Sequence, residues 1–586
     1  MTFQEIKGMT TKKILYGVSN FEAIIQDNGY YIDKSRFIET IENLGARYLL
    51  FLRPRRFGKS LFISMLEHYY DINKKEQFEE LFGDLYIGKN PTPLRNSFPI
   101  LKLNFSGVAT NGTTQEIEQS FNAKIWSNIN SFFEKYKEVL PIEDIMESQI
   151  TPLKNASDML GRFIDYMSDR QIKYYLLIDE YDNFANNILA AQGESNYANL
   201  THGDGFLRNF FTVIKTGTDT RAVERMFATG VSPLVMSDVT SGFNIGENIS
   251  MDSIFAGMAG FTQEEVDAVV DYFVAEGVIP VSDREKVLET MEKNYNNYCF
   301  SKNVKDRIYN SNSVMYLIHQ YTKSHEMPMS VIDTNMRTDY QKMRFLVLQS
   351  RKLNGNFNIL NEILLKNEIK AHLKKDFPIS ELIEDSAFVS FLYYLGFITI
   401  KQTAIDKFVF EIPNDMCREI LWEYVRKALK DVYNLDLKKL SDIFSEMTEK
   451  GEWRGLLEYI FSEFYQAASN RDFIYREEGV KGFLLAYLNI SKAYRIHSEP
   501  EMNKGYADIF VEPNLLIFPE MDKTHLLIEL KYLKKEEATE TMIKKCFEEA
   551  KIQLEKYAKD KKAPIDSVKV VAITTNEELL VLEELL

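Results

Sequence analysis

The sequence predicts an α/β chain of several domains, and three observations carry that expectation. Its 586 residues exceed what one core organises, and length alone suggests about three or four domains. Its composition, 45% hydrophobic and 27% charged with only 15 prolines and 27 glycines, is that of folded domains and leaves no room for long disordered linkers. Short apolar runs alternate with stretches of helical apolar spacing in two separate parts of the chain, which is the pattern of sheets covered by helices.

The first alternating part opens with Arg47 to Leu52 (RYLLFL), which reads as a buried parallel strand. The basic loop 53–60 follows, and then Leu61 to Tyr70 has the spacing of a helix. Pro99 to Phe105, Lys173 to Ile178 and Arg225 to Thr229 read as further strands, with a long helical stretch over roughly 114 to 170. From about 250 the pattern turns helical, and Thr262 with Glu265 three residues on forms a capping-box signature. Phe388 to Leu395 reads as a helix, and Phe397 to Lys401 with Phe408 to Ile412 as a hairpin across 402–407, an order that resembles a winged-helix element. Beyond Trp453 a helical region runs to Leu488. Candidate strands follow at Tyr506 to Val511, Leu515 to Phe518 and Leu526 to Lys531, then a helix from about 538 to 558 and a strand at Val568 to Ile573.

The net charge of −16 argues against a protein that is basic throughout, though not against a local basic groove. Cys299, Cys417 and Cys546 are far apart and odd in number; they make neither a zinc spacing nor a disulfide framework, as expected in a reducing cytoplasm. The opening residues carry no apolar signal segment, and no run of about 18 apolar residues suggests a membrane span.

The loop Arg53-Pro-Arg-Arg-Phe-Gly-Lys-Ser60 fits the phosphate-binding loop pattern except at its first glycine, which is Arg53. Such a loop turns backbone N–H groups and a helix N-terminus toward phosphate oxygens. Arg55, Arg56, Phe57, Gly58, Lys59, Ser60 and Leu61 are the expected nucleotide-binding residues: Gly58 permits close approach, Lys59 reaches the β- and γ-phosphates, and Ser60 ligates Mg²⁺. Leu176-Leu-Ile-Asp-Glu180 ends a strand in two acids, with Asp179 expected to hold Mg²⁺ and Glu180 to orient and deprotonate the attacking water. Thr229, at the end of another strand, is a candidate polar sensor of the γ-phosphate or of the attacking water. Each piece alone is equally a turn or a helix cap; their common setting at strand ends favours phosphate binding. Arg53, Arg55 and Arg56 can serve transition-state charge, a contact to a second subunit in a homo-oligomer, or a solvated basic turn.

A second constellation is Asp508, Glu529 and Lys531. Residues two apart on a strand face one side, so Glu529 and Lys531 project together, and Asp508 can join them from a neighbouring strand. Two carboxylates suit Mg²⁺ or Mn²⁺, which take oxygen ligands, and a lysine beside them suits phosphodiester hydrolysis. Glu478 on the preceding helix is a candidate third ligand, with Glu477 equally placed and Glu499 weaker. Gln553 and Tyr557 share a helix face. A surface salt bridge at a strand end is the structural alternative. Lys544, Lys545, Lys551, Lys556 and Lys559 to Lys562 can track a nucleic-acid backbone or form a solvated helix face.

The chain resembles a bacterial family of AAA-ATPase-like proteins with a C-terminal PD-(D/E)XK nuclease-type domain. The resemblance rests on Tyr31-Ile-Asp-Lys-Ser35, the arginine-rich loop 53–61, Leu177-Ile-Asp-Glu-Tyr-Asp182, Thr229-Gly-Val-Ser-Pro233, Phe261-Thr-Gln-Glu-Glu-Val266 and Tyr295-Asn-Asn-Tyr298. The family typically has glycine where this chain has Asn297, and arginine at the first loop position is its own habit. The resemblance implies a P-loop NTPase sheet of the AAA/ASCE type and a C-terminal nuclease-like α/β domain; the pattern along the chain sets these at 1–250 and 451–586, with a helical lid over 251–330 and a helical connector over 331–450 that can carry a winged-helix element. The function so implied is an ATP-binding and ATP-hydrolysing module coupled to a metal-dependent nuclease acting on DNA, in DNA processing or defence. The alternative is a nucleotide-gated sensor or scaffold whose nuclease-like domain does not cut.

Overall fold

The computed structural model describes residues 11–585 apart from 141–144, 240–244, 304, 329, 334–347, 350–351, 354, 434–436, 469–476, 492, 516–517 and 519. The chain divides into two compact units, one of Met1–Leu346 with Lys370–Cys417, the other of Val347–Ile369 with Arg418–Leu586. The stretch 331–450, expected as one connector, is thus shared between them.

The first unit is built on five strands: β1 (Tyr48–Leu52), β2 (Ile100–Asn104), β3 (Tyr174–Asp179), β4 (Val223–Gly230) and β5 (Glu247–Asn248). Their order is β2-β3-β4-β1-β5 and their pairings are parallel. All six residues of β3 are buried, as in a parallel sheet covered on both faces. Because β4 lies between β1 and β3, the loop leaving β1 and the acids ending β3 emerge at the same sheet edge, one strand apart. That is the order of an AAA/ASCE-type P-loop domain.

Helix Lys59–Tyr70 follows the loop directly, with Gly58 at φ +94° as its cap. The long helical stretch is in fact divided into helices Thr114–Tyr136 and Ala156–Asp169, with a π-helical turn at Met146–Ile150 between them. Pro152, which lacks an N–H, follows that turn, and Asn155 caps the second helix by accepting the Asp158 N–H. Thr262 and Glu265 form the expected capping box of helix Gln263–Ala275. Asn297 takes φ +76°, the left-handed conformation that glycine adopts most easily and asparagine tolerates.

After the two-residue strands β6 (Leu348–Gln349) and β7 (Lys352–Leu353), strand β8 (Glu368–Ala371) leads back to the first unit. There helix Asp385–Leu395 is followed by the antiparallel pair β9 (Thr399–Thr403) and β10 (Phe408–Glu411), helix then hairpin as the sequence suggests. Gly396 ends that helix at φ +81°, and a Cβ there would stand 2.7 Å from Pro54 Cγ. The hairpin element is therefore seated on the first residues of the phosphate-binding loop.

In the second unit the sheet order is β11 (Tyr494–Ser498), β14 (Ile509–Pro513), β15 (Leu526–Tyr532), β16 (Val568–Thr574) and β17 (Leu579–Leu585). Among the described residues of this sheet only β15 and β16 pair in parallel, joined by a crossover through helix Glu540–Tyr557. Ala550 and Leu554 of that helix pack on Leu527 and Val571. Strands β11 and β17 flank the sheet without having been anticipated. The expected strand from Tyr506 to Val511 is split: β12 (Glu501–Met502) and β13 (Gly505–Tyr506) make a hairpin turned by left-handed Asn503 and Lys504. Asp508 stands between β13 and β14. Leu515 and Phe518 are not in a strand, since Phe518 N–H turns back to the Asn514 carbonyl; residues 516–517 between them lie outside the described residues.

Arg53 does not face the phosphate cavity. Its side chain is 1% exposed and lies between the rings of Phe51 and Phe300, at 4.4 and 4.3 Å. It donates to the carbonyls of Leu52, Ser250 and Phe255. Burial pushes the guanidinium down to about 10, so it stays charged at neutral pH. A buried fork of donors that ties three carbonyls together explains arginine where a glycine usually stands. Arg53→Met is expected to cost about 2–4 kcal/mol of stability, because it leaves buried carbonyls unpaired. Thermal melting should show a lowered first transition. An unchanged melt with lost nucleotide affinity would return Arg53 to the phosphates.

Candidate functional site

The loop 53–60 and the N-terminus of helix Lys59–Tyr70 border a cavity of about 420 Å³. Arg55, Arg56, Phe57, Gly58, Lys59, Ser60 and Leu61 all line it, with Glu180 and Asn183 on one side. Tyr16, Tyr31, Phe261 and Met315 add an apolar and aromatic wall large enough to hold a base. Lys34 also borders the cavity, but its three N–H groups are spent on the Gly257 carbonyl and both Glu265 oxygens. It contributes its aliphatic stem and no free donor.

Lys59 is buried, and its ammonium donates to the carbonyls of Arg53 and Pro54 at 2.9 and 3.0 Å. Burial pushes it down to about 8, against the opposing pull of Glu180, Asp179 and Asp182. The charge is held by carbonyls rather than by a direct carboxylate partner. Asp179 ends β3, 3% exposed, and accepts the Thr229 hydroxyl at 2.8 Å. Thr229 is fully buried, and neither it nor Asp179 is among the residues that line the cavity; the two stand behind Glu180, joined by that hydrogen bond. Glu180 takes φ +52°, a conformation costly for its side chain and common at active sites. Burial, then the neighbouring Asp179, raises its carboxyl above the usual range.

Asn183 escaped the sequence reading. Its amide N–H₂ donates to Glu180 Oε2 at 2.9 Å, while its oxygen accepts from Arg55 at 2.7 Å. It sets the angle of both. No pattern marks it, because one asparagine in the first turn of a helix is common. Asp182 plays a structural part: it accepts the N–H groups of Val231 and Ser232 and so fixes the turn after β4.

The second constellation also assembles. Glu529 and Lys531 lie on one face of β15, with Lys531 Nζ 2.9 Å from Glu529 Oε1. Asp508 meets them by accepting the Leu530 N–H at 2.9 Å. Burial, and then the Asp508 charge, push the Glu529 carboxyl up to about 7. Among the described residues Glu529 Oε2 is buried without a partner, and so is Gln553 Oε1. Orphaned oxygens beside a second carboxylate suit a divalent cation, so the donor set fits Mg²⁺ or Mn²⁺. Tyr557 is raised by burial and then by Glu529 and Asp508, which puts it at the same site as Gln553. Glu477 is close enough to Asp508 for its carboxyl to be raised, after burial, by that charge. The side chain of Glu478, the expected ligand, lies outside the described residues. Among the described residues no three acidic or histidine side chains converge into a ready-made cage.

Residues 15–240 match the family model described as predicted AAA-ATPase, and residues 475–584 match that of the PD-(D/E)XK nuclease superfamily. The chain thus carries an AAA-ATPase-like domain and a PD-(D/E)XK nuclease-superfamily domain. A curated relative, "Uncharacterized protein in vnfD 5'region" of Azotobacter chroococcum mcd 1, is 30% identical over 286 residues, 48% of this chain. The chain spans about half the length of that relative, 48%. Among solved structures it is similar to the Walker-type ATPase PABY2304 of Pyrococcus abyssi, at 13% identity and a TM-score of 0.40, over 66% of this chain and 94% of that one. It is also similar to the ORC2 protein of Aeropyrum pernix (ADPNP–ADP complexes), at 10% identity and a TM-score of 0.30, over 70% and 93%. Among the described residues no helix is long and apolar enough to cross a membrane.

The state of Lys59 sets a pH dependence. A phosphate favours its charged form, so above about 8 the free protein must take up a proton to bind nucleotide. Affinity for a triphosphate is expected to be level below that pH and to fall above it by up to about tenfold per unit. Competition with a fluorescent nucleotide across pH 6 to about 10 reads the break, and a profile flat to the alkaline end would contradict it.

Proposed function

We propose that this chain binds and hydrolyses ATP with Mg²⁺, and that the nucleotide cycle controls a metal-dependent phosphodiesterase acting on nucleic acid, DNA foremost. The observation that carries the first half is the continuous cavity from the loop 55–61 to Glu180, walled at its other end by aromatic and apolar side chains. In this reading the loop amides and Lys59 hold the β- and γ-phosphates. Ser60 and Asp179 supply oxygens for Mg²⁺, which when bound neutralises phosphate charge. Glu180, oriented by Asn183, accepts the proton of the attacking water, and its raised carboxyl makes it a stronger base than a solvated glutamate.

The second half is supported by the carboxylates Asp508 and Glu529 with the orphaned Glu529 Oε2. These residues, with Glu477 or Glu478, would hold Mg²⁺ or Mn²⁺; the metal would supply an activated water and charge neutralisation. Lys531 is positioned to steer that water or to stabilise the developing charge. The exposed Lys504, Lys556 and Lys559 lie around the helix end that carries Tyr557 and would follow the phosphate backbone. Three free cysteines suit a cytoplasmic setting.

Glu180→Gln is expected to keep nucleotide affinity and to slow phosphate release by about 100-fold or more. Unchanged turnover would defeat the role given to Glu180. In parallel, DNA and RNA are incubated with Mg²⁺ or Mn²⁺, with and without ATP. Asp508→Ala and Lys531→Ala should each abolish cleavage, and cleavage that survives either change counts against the site.

A further inference from the structure

A second buried lysine stands in the C-terminal unit, on the other side of Asp508. Lys481 lies on helix Glu477–Leu488, one turn beyond Glu477, and its side chain is 5% exposed. A buried ammonium requires acceptors. It finds two carboxylates, Glu499 Oε1 at 2.8 Å and Asp508 Oδ1 at 3.2 Å. The remaining Asp508 oxygen takes the Leu530 N–H. Both oxygens of Asp508 are therefore engaged, one of them by a cation.

The Glu529 side differs. Lys531 occupies only Oε1, and among the described residues Oε2 is buried with no partner. Coordinating capacity is open toward Glu529 and closed toward Lys481. Among the described side chains the formal charges agree: Glu477, Glu499, Asp508 and Glu529 against Lys481 and Lys531 leave two negative charges, the complement of one divalent ion.

We propose that Lys481 is a built-in cation standing where a second divalent ion would otherwise bind, so that this site takes a single Mg²⁺ or Mn²⁺, with Glu499 positioning Lys481. The proposal rests on the metal-dependent reading of Asp508 and Glu529. Lys481 neutralises the far side of Asp508 without exchanging with solvent, which ammonium on a short buried tether does and a free ion does not. Glu499, anchored outside the apolar core with its side chain 43% exposed, keeps the ammonium from collapsing fully onto Asp508.

The test counts Mn²⁺ on the full chain without nucleotide, by titration calorimetry and by electron paramagnetic resonance, taking only the ions lost on Asp508→Ala. Wild type should bind one. Lys481→Met should bind two, or one about tenfold tighter; Glu499→Gln should bind one about tenfold more weakly, since each change removes a unit charge at close range. A purely structural lysine would change affinity through its charge alone and would leave the count at one, so a second ion in Lys481→Met is the result that marks the role proposed here. Two ions on wild type overturn the proposal, as does a Lys481→Met protein that matches wild type in count and affinity. If Lys481→Met fails to fold, Glu499→Gln decides alone, and unchanged affinity there overturns the proposal. Absence of Mn²⁺ from wild type and from both variants is a different failure: it overturns the metal-site reading itself.

Discussion

A buried ammonium at the head of a helix is the constraint around which the first unit is organised. Lys59 lies among carbonyls of its own loop, with Asp179, Glu180 and Asp182 near but not bonded to it. Holding that charge in place costs free energy that the surroundings must offset. Arg53 stiffens the loop by gripping three carbonyls, Gly58 turns it into the helix, and Gly396 brings the hairpin element onto Pro54. The strand order then delivers the two acids of β3 to the same edge. What results is a concave, positively charged turn whose natural complement is a polyphosphate with its divalent ion.

The second unit meets the opposite problem, excess negative charge, and meets it with lysines. Asp508 and Glu529 each receive an ammonium, from Lys481 and Lys531, and burial keeps the Glu529 carboxyl raised. The two sites are thus mirror images in electrostatic terms: one is a cation awaiting anions, the other a group of carboxylates partly quenched and left with one orphaned oxygen.

Much of this was legible in the sequence where the information is local. The loop 53–60, the acids after β3 and the Glu529–Lys531 pair are fixed by spacing along one strand or turn, and the sheet edges followed. What could not be read was tertiary. Arg53 looked like part of a basic turn because its partners, Ser250, Phe255 and Phe300, are some two hundred residues away. Lys481 sits in the apolar run Gly-Val-Lys-Gly-Phe-Leu-Leu and gives no sign that it meets Glu499 and Asp508 across the sheet. Asn183 is one polar residue among several. Strand β11 carries charged and polar residues at the sheet margin, so its apolar signal is weak, whereas β17 is an apolar run broken by two glutamates whose spacing suits a helix equally well.

The central claim is that the turn at 53–60 and Asp179 together receive a nucleoside triphosphate with its metal. Calorimetric titration of Mg²⁺-ATP into the full chain tests it most directly. Saturable uptake of one nucleotide per chain, lost in Lys59→Ala while the melting profile is kept, is the predicted result. No uptake of adenine or guanine triphosphate by folded protein up to about millimolar concentration, the weak end of useful affinities, would contradict it.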